Sequence, residues 1–290
     1  MSSSNRAHRS AGFTLIEVMI ALVISGILAG VIFQLVRGQG RFVSVQNARE
    51  EVQQNARGAL EIISSELRTI HPGGLAAAQK NAVSFRLPRA WGISCGGGSV
   101  TQLTAVFPAA LPEGMTALAG ISGIMGDVTG VGPGNVYAPT PASGTVQTVT
   151  GRAEVDLAAV GNACSTLRPV GPSDEVVALQ FTGTNLPVVP LGNRVYLYQT
   201  VAYSVSQSGG QYWIHRNGQP LAGPLVTDTS GLIFNYWQNA GNTRLSAPVA
   251  AADIPTIGRV AVSVRTKSRG RGGPTQYATD SMTVLLWNRP

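Results

Sequence analysis

Charged side chains are scarce in this chain, and histidine and cysteine are scarcer still. Only 12% of the 290 residues are charged, against about a quarter in an average globular protein. The two cysteines exclude a disulfide-dense scaffold and a four-thiolate zinc site. Three histidines are few for catalysis or metal binding. Hydrophobic residues make up 44% of the chain, which is enough for a sizeable core and argues against wholesale disorder.

Basic residues outnumber acidic residues in this small set of charges. The chain has 21 Lys and Arg against 14 Asp and Glu, a net charge of +7. That balance permits an acidic partner such as nucleic acid or anionic lipid, but it names none. The length predicts one or two domains.

A long apolar run, residues 13–36, is the strongest feature of the sequence, and Glu17 is its one charged residue. As a helix the run would measure about 36 Å, enough to cross a bilayer. The preceding residues 1–12 are polar and carry Arg6 and Arg9. Basic residues before a membrane segment predict a cytoplasmic N-terminus and export of the rest of the chain.

Two simpler interpretations of this run fit less well. A secretory signal peptide has a shorter apolar region and a small-residue cleavage site, which does not follow here cleanly. A plain membrane anchor explains the length but not Glu17, because a carboxylate at the bilayer centre costs about 3 kcal/mol. The acid therefore needs a cationic partner.

The hexapeptide Gly12-Phe13-Thr14-Leu15-Ile16-Glu17 follows the short basic leader and opens the apolar run. It resembles the processing site of type IV prepilins. In that family a membrane aspartyl peptidase, the prepilin peptidase, cuts after the glycine and methylates the new N-terminal residue. The resemblance implies cleavage between Gly12 and Phe13 and N-methylation of Phe13. It also implies that Glu17 acts in assembly, where it can pair with the terminal amine of a neighbouring subunit.

Beyond Val36 the pattern becomes amphipathic. Apolar residues recur at spacings of three and four, which predicts a helical stripe that packs on a sheet. The helix is expected to end at His71-Pro72-Gly73-Gly74, so it runs from about 13 to 70. The stripe comprises Phe42, Val45, Ala48, Val52, Ala56, Ala59, Ile63, Leu67 and Ile70.

The remaining chain, 72–290, has the pattern of strands and turns. Together with the turn signals Gly209-Gly210 and Asn217-Gly218, short apolar or alternating segments favour an antiparallel meander. The predicted strands are 83–87, 100–107, 175–181, 194–205, 211–216, 232–238, 258–266 and 277–287. Packed on the amphipathic half of the helix, residues 37–71, it gives an α+β fold, which matches the pilin plan. The Gly- and Pro-rich segment 108–173 is expected to be an irregular insertion. Four aromatic residues are predicted to be core residues on a sheet face, namely Trp213, Tyr236, Trp237 and Trp287.

Cys95 and Cys164 bracket this insertion. If the domain lies outside the cytoplasm, they can form a disulfide. Such a bridge would close a loop of about 70 residues and contribute around 4 kcal/mol in the loop-entropy model. The alternative is a pair of buried free thiols.

A second, looser resemblance concerns the segment 47–68, which is similar to the helix of PilW-type minor pilins and of the J-type minor pseudopilin of type II secretion. The segment 231–237 and the strand that begins at Arg259 resemble closing strands of the same group. The resemblance implies a minor pilin of an initiation or tip complex, held first in the bacterial inner membrane and then in the pilus. Its partners would be other pilins, bound through the N-terminal helix. A minor pseudopilin stays open as an alternative.

An enzyme is not predicted. His8 lies in the leader, His71 at the expected helix end and His215 in a strand, and no sequence pattern joins His71 or His215 to a Ser or Cys nucleophile. The acidic residues are scattered without the spacing of a calcium loop. The sequence therefore predicts no catalytic residues, no metal site and no cofactor.

A nucleic-acid contact is the second alternative function. Basic residues without an intervening acid surround 268–274, the expected tip of the last hairpin, and they could contact DNA phosphates. The simpler interpretation is a solvated turn or a contact to another subunit, since no aromatic residue lies within the run to stack on bases. The candidate contact residues are Arg265, Lys267, Arg269 and Arg271, and Arg259 is the first residue of the same basic run.

Overall fold

One long helix opens the folded chain. The computed structural model describes residues 14–70, 74–95, 102–107, 122–126, 148–154, 175–182, 191–239, 242–270 and 273–286. The helix, α1, is Leu15–Arg68 and has 54 residues, a length of about 81 Å. It ends two residues before the predicted end at about 70. Pro72 follows four positions after Arg68, and proline disfavours helical backbone at the position before it.

Thirteen strands follow among the described residues, and they form one sheet. The sheet is antiparallel at each pairing whose register is defined, so the chain has the expected α+β arrangement. The strands are β1 Leu75–Ala78, β2 Val83–Ser94, β3 Gln102–Phe107, β4 Gly123–Gly126, β5 Thr148–Glu154, β6 Glu175–Thr182, β7 Arg194–Ser208, β8 Gln211–Arg216, β9 Gln219–Leu225, β10 Leu232–Gln238, β11 Arg244–Leu245, β12 Ile257–Arg269 and β13 Thr275–Leu285.

The strand order departs from a simple meander. Strands β7, β8 and β9 pair consecutively through turns at Gly209-Gly210 and Asn217-Gly218, where all four residues have positive φ. Strand β9 then pairs with β12, while β10 lies between β11 and β12. On the other side of β7, the path continues through β2, β3, β6 and β5. Strand β4 pairs with β7 outside this path. Both β4 and β5 lie within the segment 108–173, which was expected to be irregular.

The core of the part formed by 52–267 and 277–286 lies between α1 and the sheet. The predicted stripe supplies the helix side, and Ala56, Ile63 and Leu67 are at most 1% exposed. Phe85, Tyr203, Phe234 and Tyr236 are among the largest fully buried residues on the sheet side. Burying one Ile or Leu side chain contributes about 1.5–3 kcal/mol, so this stripe anchors the helix firmly.

The other part comprises 14–51 and 268–276. Within it, Ala48 is buried, but Phe42 is 64% exposed. The prediction that the packed stripe begins at Phe42 is therefore wrong. Periodicity shows which face of a helix is apolar, but it does not show where the covering layer ends.

Candidate assembly and processing site

The first half of α1 presents an uninterrupted exposed surface. Every described residue from Thr14 to Val43 is exposed, and the large apolar side chains among them range from 47% exposure at Val18 to 83% at Leu15. Within the described residues, α1 is the one helix that is long and apolar enough to cross a membrane. Such a surface needs lipid or other protein to cover it.

Thr14 and Glu17 form a reciprocal cap at the start of this helix. The backbone N–H and the hydroxyl of Thr14 each donate to Glu17 Oε2, at 2.9 Å. The backbone N–H of Glu17 points back to Thr14 Oγ1, at 3.4 Å. This is the capping-box pattern, which satisfies amide groups that the first turn leaves without helical partners. Glu17 is thus an acid fixed in the first helical turn, where the macrodipole favours a negative charge.

The predicted processing residues, Gly12 and Phe13, lie outside the described residues. The structure therefore places Glu17 and leaves the cleavage position as a prediction from the motif.

Residues 7–33 match the family model for the prokaryotic N-terminal methylation motif. The chain carries the N-terminal signature of the type IV prepilin and pseudopilin family. No curated protein and no solved structure gave a significant match. The match covers the second half of the leader, the processing position and most of the apolar run, so it supports a pilin-like or pseudopilin-like role without choosing a subtype.

A prepilin-type motif has three further consequences for this chain. It points to a structural protein that assembles with others of its kind. Together with the apolar helix, it supports single-pass anchoring in the inner membrane and incorporation into a filament. It also implies processing by a peptidase.

A polar cluster that the sequence did not predict connects the end of α1 to the sheet. Arg216 of β8 binds Glu66 of α1 through two nitrogens, with the shortest contact 2.7 Å from Arg216 Nη2 to Glu66 Oε1. The hydroxyl of Tyr203 in β7 donates to Glu66 Oε2 at 2.5 Å. Burial and the neighbouring carboxylate raise the pKa of Tyr203, and the hydrogen bonds to Glu66 raise the pKa of Arg216.

The structure places four of the predicted basic residues on one strand, β12. Arg265 and Lys267 alternate on the outer face of β12, while Arg269 ends that strand and donates to Gly273 O at 3.3 Å. Arg259 lies earlier on the same outer face. Arg271 lies outside the described residues.

Two aromatic rings accompany these cations, although none lies within the basic run itself. The guanidinium carbon of Arg259 is 4.5 Å from the ring centre of Trp237, its cross-strand neighbour on β10. That of Arg265 is 5.8 Å from the ring centre of Tyr277 on β13. Trp237 is therefore half-buried on the outer face, and the prediction that it packs in the core is wrong, whereas Tyr236 is fully buried. Cross-strand register brings these groups together, which linear spacing does not show.

Histidine and cysteine give no reactive site within the described residues. His215 is 7% exposed, and its Nδ1 lies 2.7 Å from Ser206 Oγ on the neighbouring strand. No group of three potential metal ligands occurs among the residues that the structure describes. Cys95 is fully buried, and Cys164 and His71 lie outside the described residues. The Cys95–Cys164 bridge therefore stays a prediction.

Proposed function

We propose that this chain is a minor type IV pilin. Prepilin peptidase cuts between Gly12 and Phe13 and N-methylates Phe13, and the mature subunit then joins the initiation or tip complex of a pilus that serves adhesion, motility or DNA uptake. The observation that carries the proposal is the fully exposed apolar surface of 14–43, with Glu17 fixed in its first turn. In this proposal the helix anchors the subunit in the inner membrane with the remaining chain, 37–290, outside the cytoplasm.

Glu17 guides the incoming subunit by charge. When the helix leaves the membrane, its carboxylate pairs with the terminal amine of a neighbouring subunit, and both charges lose their water together. Removal of one partner from a buried ion pair costs about 3–5 kcal/mol, because the other charge is left uncompensated. The remaining apolar surface packs against other pilin helices.

The variant Glu17→Gln tests this role, with Glu50→Gln as a matched control on the same helix, where Glu50 is exposed. We expect leader cleavage in both variants and at least a hundredfold loss of filament incorporation, measured by immunoblotting of sheared filaments, for Glu17→Gln alone. Normal incorporation of that variant would refute the proposed charge pairing.

An in-frame deletion separates a minor pilin from a minor pseudopilin of type II secretion. Surface pili and exoprotein secretion are scored in the same strain. We expect pili to be lost and secretion to continue. Loss of secretion with normal pili would overturn the pilin assignment in favour of the pseudopilin.

The outer face of β12 supports a second candidate function, binding of single-stranded DNA. Exposed Arg265 and half-buried Arg259 each lie beside an aromatic ring, and stacking surfaces combined with cations are typical of proteins that bind single strands. The full chain in detergent should bind a DNA oligonucleotide more weakly as salt rises. The logarithm of the binding constant falls linearly with the logarithm of the salt concentration, and each phosphate contact on a single strand contributes about 0.7 to that slope. The double variant Arg259→Gln/Arg265→Gln should therefore reduce the slope by about 1.4. Absence of binding at low salt removes this candidate.

A further inference from the structure

A shallow groove runs beside α1 just beyond the apolar run. Its volume is about 360 Å³, and it lies within the part formed by 14–51 and 268–276. One wall is the helix face from Gly40 to Glu51, and the other wall is the end of β12 with Arg269 and Gly270. Gly40 and Val43 belong to the exposed surface 14–43, whereas the other lining residues have no role in the proposed assembly mechanism.

Glycine permits the two walls to meet. A Cβ atom at Gly270 would lie 2.5 Å from the carbonyl oxygen of Ser44, and one at Gly273 would lie 2.6 Å from Val45 Cγ2. Real Cβ atoms do not approach backbone so closely, so any side chain at Gly270 would push the strand end away from the helix. The groove therefore has a shape that a single methyl group would change.

One end of the groove lies at the level of lipid headgroups when 13–36 spans a bilayer. Gly40 and Ser44 follow Val36 by about 6 and 12 Å along the helix axis. Headgroups occupy about 5–8 Å on each side of the hydrocarbon core. The end of the groove nearest the membrane therefore begins within the headgroup layer.

The charges and apolar groups around that end suit an anionic lipid. Arg37 and Arg41 are exposed, and helical side chains lean toward the N-terminus, which directs both cations toward the membrane surface. Arg269 adds a cation on the opposite wall. Phe42 and Val43 are 64% and 53% exposed and can contact acyl chains.

The acid that lines the groove is at its far end. Glu51 accepts a hydrogen bond from the hydroxyl of Ser268, at 2.6 Å. Its neighbour Glu50 is also at that level of the helix, seven residues beyond Val43. The negative charges thus lie farther from the membrane than Arg37 and Arg41.

We propose that this groove binds the phosphate headgroup of an anionic phospholipid while the subunit waits in the membrane. The inference rests on the membrane placement in the proposed function. The lipid bridges the helix and the end of β12, so extraction of the subunit into a filament must break this contact. An anionic membrane surface attracts nearby Lys and Arg side chains, and each contributes separately to the attraction.

Native mass spectrometry of the full chain tests the proposal. The protein is released from mixed micelles that contain equal amounts of phosphatidylglycerol and phosphatidylcholine, and the retained lipids are counted. We expect preferential retention of phosphatidylglycerol. The double variant Arg41→Gln/Arg269→Gln should lower its apparent affinity by about thirtyfold, as expected for the loss of two cations at an anionic surface.

Two further variants separate a shaped site from diffuse attraction. Gly270→Ala keeps every charge and should still lose most of the preference, because it displaces one wall. Arg57→Gln/Arg244→Gln removes two exposed cations elsewhere and should leave the preference unchanged. An equal loss in this control, or full retention in Arg41→Gln/Arg269→Gln, would overturn the proposal.

Other occupants give different results. Displacement of the lipid by excess inorganic phosphate would identify a free phosphate site and contradict the lipid site. Loss of bound lipid only when the chain dimerises would identify a second copy of the chain as the occupant. That result would also contradict the lipid site. Flotation with vesicles of pure phosphatidylcholine is scored separately. Failure to float refutes the membrane anchor of the proposed function, whereas flotation without a lipid preference refutes the groove proposal alone.

Discussion

The two halves of α1 have the same backbone conformation and opposite surroundings. From Thr14 to Val43 every residue is exposed, whereas Val52, Ile63 and Leu67 in the second half are at most 2% exposed. The chain's own sheet covers the apolar face of the second half. No other described part of the chain covers the first half, and in the proposed function lipid covers it before assembly and other helices cover it in a filament. One continuous helix thus carries a folding surface and an assembly surface in sequence.

The largest expected effect tests the folding surface. Ile63→Ala should lower the free energy of unfolding by about 2–5 kcal/mol, because it leaves a cavity in the core. Its neighbour Ile62 is 39% exposed, and Ile62→Ala is a matched control that should cost much less. Denaturant unfolding of the detergent-solubilised chain, followed by Trp fluorescence, measures both.

The same change in the first half completes this comparison. Ile24 is 52% exposed, so Ile24→Ala should leave the unfolding of the sheet domain unchanged. If it destabilises that domain as much as Ile63→Ala does, the two halves of the helix do not act separately.

A smaller effect concerns the polar cluster at the end of the second half. Arg216→Met removes the bidentate partner of Glu66, whose side chain is only 17% exposed. The partly buried carboxylate then lacks its cation, and the free energy of unfolding should fall by about 1–3 kcal/mol. Arg244→Met removes an exposed arginine and serves as the control. Equal effects of the two variants would show that the Glu66 contact contributes little.

The smallest expected effect is a pH dependence. The pKa of Tyr203 is raised in the folded chain, so its stabilising contribution is present below pH 10, the ordinary tyrosine value, and declines as the pH rises above about 10. Tyr203→Phe should therefore lose stability less steeply at alkaline pH than the unaltered chain does. Some slope will remain, because burial also raises the pKa of Tyr236. Identical alkaline slopes would contradict this contribution of Tyr203.

Local pattern was sufficient for the helix and for most strands. The spacing of Val52, Ala56, Ala59, Ile63 and Leu67 identifies the buried face because helical geometry alone places those residues together. Alternation and turn residues likewise give β8 and β10 with the observed bounds. The Glu17 cap is equally local, since its two partners are three positions apart.

Contacts between distant positions were not accessible in this way. Glu66 lies 137 and 150 positions from Tyr203 and Arg216, and no local signal relates them. Strand β9 escaped prediction for a different reason, because Pro220, Gly223 and Pro224 oppose a strand in local terms and only its neighbours make it one. The aromatic neighbours of Arg259 and Arg265 likewise depend on strand register.

The strand order also has a consequence for folding during the export that we propose. Strand β2 pairs with β7, roughly a hundred positions later. The core against α1 also includes residues from β12 and from the end of β13. Such distant pairings form slowly, because long loops must close first. In the proposed topology the apolar stripe of α1 crosses the membrane early and stays uncovered until almost the whole chain has followed. During that interval the tethered chain is open to aggregation, and its C-terminal strands determine when the interval ends.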